Sequence, residues 1–348
     1  MIVGTMVPSD QHASDAAAFD ALAESGPPHR SFLRSRWFTS GRDRQDDHLV
    51  LTDPSGAPLA AIALTARGKG PISMREVGGC YWPFRGIPIA AHATPETLAA
   101  ALEAHRSRCG RIWRLGPVEA GEPALTTLCL AASEAGWTVL SRPLGRVFQL
   151  DLAVLTKDGE WPTTKTMRKN RWRKRRLEED GGPLRVEYFT GRNWTAGQRN
   201  AMAAIEAASW LGKLDDGGDT KFRDPAMRRY WEELCDDPML ADMLFGSLMW
   251  IGEVPAAFTF GVEAGDTRYY IANNFDERFT RFGPGRVLLY DDFARAAERG
   301  IARISWGLGD AGYKGEMGAQ PGPEMVDHLF VRGRLPAMLL RRWWERPQ

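Results

Sequence analysis

Apolar and polar positions alternate along this chain with two different periods, and the same succession of periods occurs twice. Residues 48–66, HLVLTDPSGAPLAAIALTA, read as two period-two strands joined by a tight turn. Residues 244–262, LFGSLMWIGEVPAAFTFGV, read the same way, with Gly56-Ala-Pro-Leu-Ala-Ala61 matched by Gly252-Glu-Val-Pro-Ala-Ala257. After each hairpin come another strand candidate, a helix and a strand. Helix Pro95–Arg108 precedes Arg111-Ile-Trp-Arg-Leu-Gly116 in the first half, and helix Arg286–Arg299 precedes Ala302-Arg-Ile-Ser-Trp-Gly-Leu-Gly309 in the second. Self-similarity at half-chain distance predicts a duplicated α/β domain, with copies at 1–158 and 159–348. The boundary is expected in the polar, Gly- and Pro-bearing stretch Thr156–Pro162.

The second copy carries the more informative segment. Residues 267–275, TRYYIANNF, have the β-branched and aromatic bias of a strand. A turn follows, then an amphipathic helix, then a second strand running into the polar turn that ends at Lys314. Arg281-Phe-Gly-Pro-Gly-Arg286 therefore lies between a strand and a helix N-terminus. Gly283 and Gly285 would let backbone N–H groups approach a ligand closely, and the helix end favours negative charge, which Arg286 would reinforce. This is an arrangement that holds a phosphate-bearing cofactor. The first copy has Arg85-Gly-Ile-Pro88 at the comparable place, with no glycine pair opening its helix. Only the second copy is expected to hold the cofactor, with Trp82 and Arg85 of the first copy lining a path for a second ligand.

Composition narrows the classes. A chain of 348 residues is long enough for two domains, and 45 basic residues against 44 acidic give it no global field toward nucleic acid or membrane. The four cysteines, Cys80, Cys109, Cys129 and Cys235, form no CxxC pair, and no histidine stands at metal-ligand spacing, so no metal site is expected. His105 and His328 read as ordinary surface or core residues. The first 25 residues lack the basic start and apolar run of a signal peptide, and no stretch could span a bilayer, which points to a cytoplasmic protein. The thirteen tryptophans read mainly as core. The terminal Leu339-Leu-Arg-Arg-Trp-Trp344 reads as an amphipathic helix docking on the sheet rather than a membrane anchor.

One local charge run departs from the global balance. From Lys165 to Arg176, eight of twelve residues are Lys or Arg, with Trp172 among them. Helical spacing puts Arg168, Arg171 and Arg175 on one side and Lys165, Lys169, Trp172 and Arg176 on an adjoining one. Like charges at i,i+4 repel, so an anion is expected to neutralise the run: the phosphates of a cofactor, an anionic ligand or peptide, or a tRNA. The alternative is a solvated helix offset by Glu178, Glu179 and Asp180.

The order of these features resembles a known family. A basic helix ends in Arg175-Arg-Leu-Glu178. Then come Glu206-x-x-Ser-Trp210, the Pro-Ala-Ala hairpin and a Tyr-Tyr pair. Gly283-Pro-Gly-Arg-Val-Leu-Leu289 and Gly309-Asp-x-x-Tyr-Lys314 complete the series. The chain resembles the GNAT superfamily branch of cellulose-biosynthesis-type (CelD/BcsL-like) acetyltransferases, related in architecture to the tandem-GNAT Fem-type transferases. The resemblance runs from about Phe32 to Phe330. It implies an α/β (α+β) fold of tandem GNAT-like domains, each a mixed twisted sheet flanked by helices. It also implies transfer of an acetyl or longer acyl group from acyl-CoA to an amine, such as an amino sugar, a peptide Lys or ornithine, or a small amine. Family members often carry Asp-Phe-Gly where this chain has Ser305-Trp306-Gly307. The arginine or glutamine of the family's pyrophosphate loop is matched by Arg281.

The resemblance gives candidate roles to particular residues. An amine attacks a thioester only when neutral, so a base, direct or through water, must take its proton. Asp310 is the nearest candidate, with Glu206 next, although Asp310 could instead cap its turn. The oxyanion needs a donor, and Asn273 and Asn274 end the strand where that donor would sit. Tyr313 is the candidate acid for the leaving thiolate, or a packing residue. Gly283, Gly285, Arg286, Val287 and Arg281 would hold CoA, with Lys314 on a phosphate, on an acceptor carboxylate or in solvent. Trp210 would line the acyl or acceptor groove, or be structural. Two other functions stay open: a Fem-like transferase using aminoacyl-tRNA, and a binding module that has lost turnover.

Overall fold

The computed structural model describes residues 9–41, 47–67, 74–79, 85–157, 161–214, 219–310 and 312–346. Trp82, Cys80 and the middle of the expected boundary stretch, residues 158–160, lie outside them. The chain forms two compact units. The first comprises Met1–Thr39, Asp43–Arg146 and Pro323–Gln348, and the second Ser40–Arg42 and Val147–Gly322.

In chain order the first unit contains α1 (Ser9–Ser25), α2 (Ser35–Thr39), β1 (Asp47–Thr52), β2 (Pro58–Arg67), β3 (Met74–Val77), α3 (Pro95–Ala104), α4 (Arg106–Cys109), β4 (Ile112–Glu119), α5 (Pro123–Glu134) and the first part of β5 (Trp137–Asp151). The second contains the rest of β5, α6 (Leu152–Lys157), α7 (Thr164–Gly181), β6 (Leu184–Thr190), α8 (Ala196–Ala208), α9 (Pro225–Leu234), α10 (Pro238–Met243), β7 (Leu244–Ile251), β8 (Val254–Ala264), β9 (Thr267–Phe275), α11 (Pro284–Glu298), β10 (Arg303–Leu308) and α12 (Tyr313–Glu316). Most of β11 (Gln320–Arg332) and α13 (Arg334–Trp344) belong to the first unit again.

The expected hairpins are present, and each turn has its own chemistry. Between β1 and β2, Asp53 Oδ1 accepts hydrogen bonds from Ser55 N (2.8 Å) and Ala57 N (2.9 Å), closing an Asx turn around Gly56 at φ +87°. Between β7 and β8, Gly252 takes φ +56°, and a Cβ there would stand 2.6 Å from the carbonyl oxygen of Gly181. The strands of the second unit follow the order β5-β10-β9-β8-β7-β6, antiparallel except for the β9–β10 pair. In the first unit the order is β1-β2-β3-β4-β11-β5, with β3 and β4 parallel. Each parallel pair is bridged by a helix, α11 in the second unit and α3 in the first, as a crossover connection requires.

Helix α11 organises the second unit. Val287 and Leu288 pack with Leu177 of α7 and with Met249, Ile251, Ala256 and Ala257 of the β7–β8 hairpin. Leu289, Tyr290, Phe293 and Ala296 pack with Tyr270, Ile304 and Trp306 on β9 and β10. Asp292, buried in the same helix, accepts from Ser247 Oγ (2.7 Å) and Thr259 Oγ1 (3.0 Å), as well as from the Tyr270 hydroxyl, and pairs with Arg268 at 3.1 Å. A buried carboxylate held by three hydroxyls and a guanidinium fixes the helix in depth and rotation over β7, β8 and β9.

Candidate active site

The two parallel strands of the second unit part early. β9 and β10 pair only from Thr267/Arg303 to Tyr269/Ser305 among the described residues, whereas β9 runs on to Phe275. The far end of β9 therefore has β8 on one side and an open edge on the other, where backbone groups are available to a ligand. α11 begins just beyond that edge.

Gly283 makes this beginning possible. It takes the left-handed conformation (φ 59°, ψ 60°) at the helix N-cap, with no side-chain cap, and Pro284 follows as the first helical residue. Its carbonyl accepts from Arg286 N (3.1 Å) and Val287 N (3.2 Å). Pro284 has no N–H and the next donors after Gly285 are bonded to Gly283, so the helix dipole and the Gly285 N–H are what favour an anion here. A Cβ on Gly285 would meet the Phe275 ring at 3.1 Å, so this glycine lets the helix start close against β9.

A cavity of about 450 Å³ lies at this junction. Asn273, Asn274 and Phe275 from β9 line it, as do Thr280, Arg281 and Phe282 from the preceding 3₁₀ turn and Gly283, Gly285, Arg286 and Leu289 from α11. Arg173, Trp210, Phe258 and Tyr313 complete the lining. Three guanidinium groups, Arg173, Arg281 and Arg286, thus surround one cavity at a helix N-terminus. Arg286 pairs with Glu316 at 2.9 Å, whereas Arg281 is exposed and lies over the Phe282 ring at 5.3 Å. Burial and the charge of Arg286 push Arg173 below its ordinary value, as expected of cations gathered without a full complement of anions.

Tyr313 opens the short helix α12 and packs edge-on against Trp306, 5.4 Å between ring centres. Asn273 Nδ2 donates to its hydroxyl oxygen at 3.3 Å, which leaves the Tyr313 O–H free to point elsewhere. Burial raises the phenol above its ordinary value, with the Asn273 hydrogen bond opposing, so Tyr313 is protonated at neutral pH.

Of the residues read from the sequence, Asn273, Tyr313, Arg281, Gly283, Gly285, Arg286 and Trp210 share this cavity. Trp210 stands 57 % exposed at its rim, in the turn after α8. The others lie elsewhere. Val287 is fully buried in the core. Asp310 is exposed, and its Oδ1 accepts from Gly312 N at 2.8 Å, the geometry of a turn cap. Glu206 is 0 % exposed, and three backbone N–H groups donate to its carboxylate: Lys221 (2.7 Å), Phe222 (2.9 Å) and Arg223 (2.8 Å). Burial raises its pKa and these three bonds oppose, so Glu206 serves to hold the 221–223 segment. Lys314 turns inward, its Nζ donating to the carbonyls of Gly307 (3.3 Å), Leu308 (3.2 Å) and Gly309 (2.7 Å). Arg85, in the first unit, is buried and paired with Glu76 at 3.3 Å. No group of three metal-ligating side chains occurs among the described residues.

Arg173 was not legible as a site residue, because in the sequence it is one of eight cations in a run. Periodicity offers a signal in hindsight: Asn170, Arg173 and Leu177 follow i, i+3, i+7, the stripe that α7 turns toward the protein, and Asn170 and Leu177 are its two buried residues.

Several solved structures share this fold over nearly their full lengths. FemX superposes with a TM-score of 0.63 at 13% identity, covering 97% of this chain and 99% of its own. The C-terminal domain (DUF2156) of a putative lysylphosphatidylglycerol synthetase from Agrobacterium fabrum gives 0.55 at 14% identity, with 94% of each chain covered. A tandem GNAT protein from the clavulanic acid biosynthesis pathway gives 0.50 at 12% identity, covering 94% of this chain and 96% of its own. At these identities the likeness is one of fold, a tandem GNAT architecture with a mixed sheet flanked by helices in each unit. No curated protein matches the chain. The glycine-opened helix, the three arginines and Tyr313 all fall within residues 165–315, the stretch that matches the family model of the GNAT acetyltransferase domain.

Proposed function

We propose that this protein is an N-acyltransferase that moves an acyl group from a CoA thioester to an amine, using the cavity between β9 and α11. One observation carries the reading: a helix N-terminus opened by glycine, three arginines and a protonated tyrosine converge on the open edge of a splayed parallel pair. Arginines and the positive end of a helix suit a pyrophosphate. The open edge of β9 suits an extended pantetheine arm, which can add to it as a strand would. CoA would supply the activated thioester. Tyr313 would give its phenolic proton to the departing sulfur, and Asn273 would hold the phenol in place. Asp310 and Glu206 are both engaged by backbone N–H groups, so the amine would lose its proton to water.

Calorimetric titration with CoA tests the site. Gly285→Val puts a branched side chain where the helix must approach Phe275 and the ligand. CoA affinity should fall tenfold or more, about 1.4 kcal/mol, while circular dichroism stays that of wild type. Unchanged affinity in the folded variant would remove the cavity from consideration.

A second reading rests on α7. Lys165, Arg168, Lys169, Arg171 and Arg175 are exposed, with Trp172 exposed among them, and none forms an ion pair among the described residues. A donor carried on tRNA would use such a face. Retention of aminoacyl-tRNA, with no affinity for CoA, would favour this reading over the first.

A further inference from the structure

The terminal helix α13 has two apolar faces, one docked on the sheet and one turned to solvent. Ala337 and Trp344 are buried, and with Leu340 they pack onto Ile112, Leu140, Leu329 and Val331 of the first unit. The Arg142 guanidinium lies 4.0 Å above the Trp344 ring and fixes that side of the helix further. On the other side Leu335 is 72 %, Met338 61 %, Leu339 74 % and Trp343 58 % exposed. At 3.6 residues per turn these four fall on one stripe, roughly opposite the docked one. A helix anchored in this way cannot roll its outer leucines inward. Contiguous apolar side chains of this size, left in water on a firmly held element, mark a contact surface.

The charge around the stripe selects the partner. Arg334, Arg341, Arg342 and Arg346 are all exposed, with Glu345 as the single acid of the helix end, 3.9 Å from Arg341. Pairing of two copies through this face would be isologous, setting each cluster of arginines against its equal. An anionic lipid surface presents the complementary charge and accepts leucines, methionine and tryptophan at the depth of its headgroups. Arginine stems can lie along the apolar stripe while their heads reach lipid phosphates. We infer that the outward face of α13 seats this protein on anionic membrane surfaces, lying on the bilayer rather than crossing it. No helix among the described residues is long and apolar enough to cross a membrane. This inference does not depend on the acyltransferase reading.

Flotation of the full chain with vesicles tests it. The protein should float with vesicles of phosphatidylglycerol and phosphatidylcholine and stay behind with phosphatidylcholine alone, and added salt should weaken the association. The double variant Leu335→Asp/Leu339→Asp should lower the partition coefficient at least tenfold. Arg341→Glu/Arg342→Glu should lower it while every apolar side chain of the stripe stays in place. Leu130→Asp, at an exposed leucine of α5, should change nothing. Equal partition of wild type and the double aspartate variant would overturn the inference. So would failure of the wild type to bind anionic vesicles, or a dimer in light scattering that the aspartates dissociate.

Discussion

At the scale of single residues, Tyr313 and Asp310 are three positions apart and do different work. Tyr313 is partly buried on Trp306, keeps its proton and faces the cavity. Asp310 is exposed and closes its own turn onto Gly312. A general acid is typically worth about a hundredfold to ten-thousandfold in rate. If Tyr313 is the acid proposed above, Tyr313→Phe should lower turnover within that range and leave CoA affinity near wild type, a combination that steady-state kinetics and calorimetry together can verify. Asp310→Asn keeps an acceptor for Gly312 N and should cost less than about threefold, within what turn geometry alone explains. If Asp310→Asn instead loses a hundredfold at neutral pH and recovers as pH rises, the carboxylate is the base and the water-mediated route is wrong.

At the scale of elements, Lys314 ties the end of β10 to α12. Burial pushes its ammonium down to about 8, with Asp310 opposing. An unfolded lysine titrates near 10.4, so between about pH 8 and 10.4 the unfolded chain holds a proton that the folded one has released. Raising the pH through that window favours the fold, by up to about 3 kcal/mol from this group, and below about 8 the group contributes no slope. The stability difference between wild type and Lys314→Met, measured by urea unfolding, should thus move in favour of wild type between pH 7.5 and 9.5. A flat difference would mean that the carbonyls of Gly307, Leu308 and Gly309 hold the proton on Nζ against its burial. The hairpins, α11 and the glycine loop were legible in the sequence because period, turn residues and breakers act locally. The inward turn of Lys314, the three N–H groups on Glu206 and the place of Arg173 were not, because each depends on which backbone groups tertiary packing leaves in need of a partner. The outer face of α13 was hidden for a related reason. One amphipathic pattern accounts for docking, and only the fold reveals which leucines the docking leaves in water.

At the scale of the whole molecule, the tandem architecture raises the question of how many sites for the proposed CoA donor the chain would have. The two crossover helices answer it through their first turns. α3 of the first unit starts with Thr94, whose Oγ1 accepts from Thr97 N (3.3 Å), while Thr97 Oγ1 accepts from Thr94 N (3.1 Å). This capping box satisfies the exposed donors of the helix start from within and leaves less for an anion to bind. α11 of the second unit starts at a left-handed glycine with no side-chain cap and arginines at hand. Only α11 keeps the electrostatic demand that a pyrophosphate meets. Calorimetry should therefore give one CoA per chain, lost in Gly285→Val. Replacing Thr94 and Thr97 with alanine should free donors in α3 without creating a second site, since no glycine opens that helix to close approach. Two equivalent sites in wild type would mean that an anion can displace the capping box. The asymmetry between the copies would then have to lie in the acceptor and not in the donor.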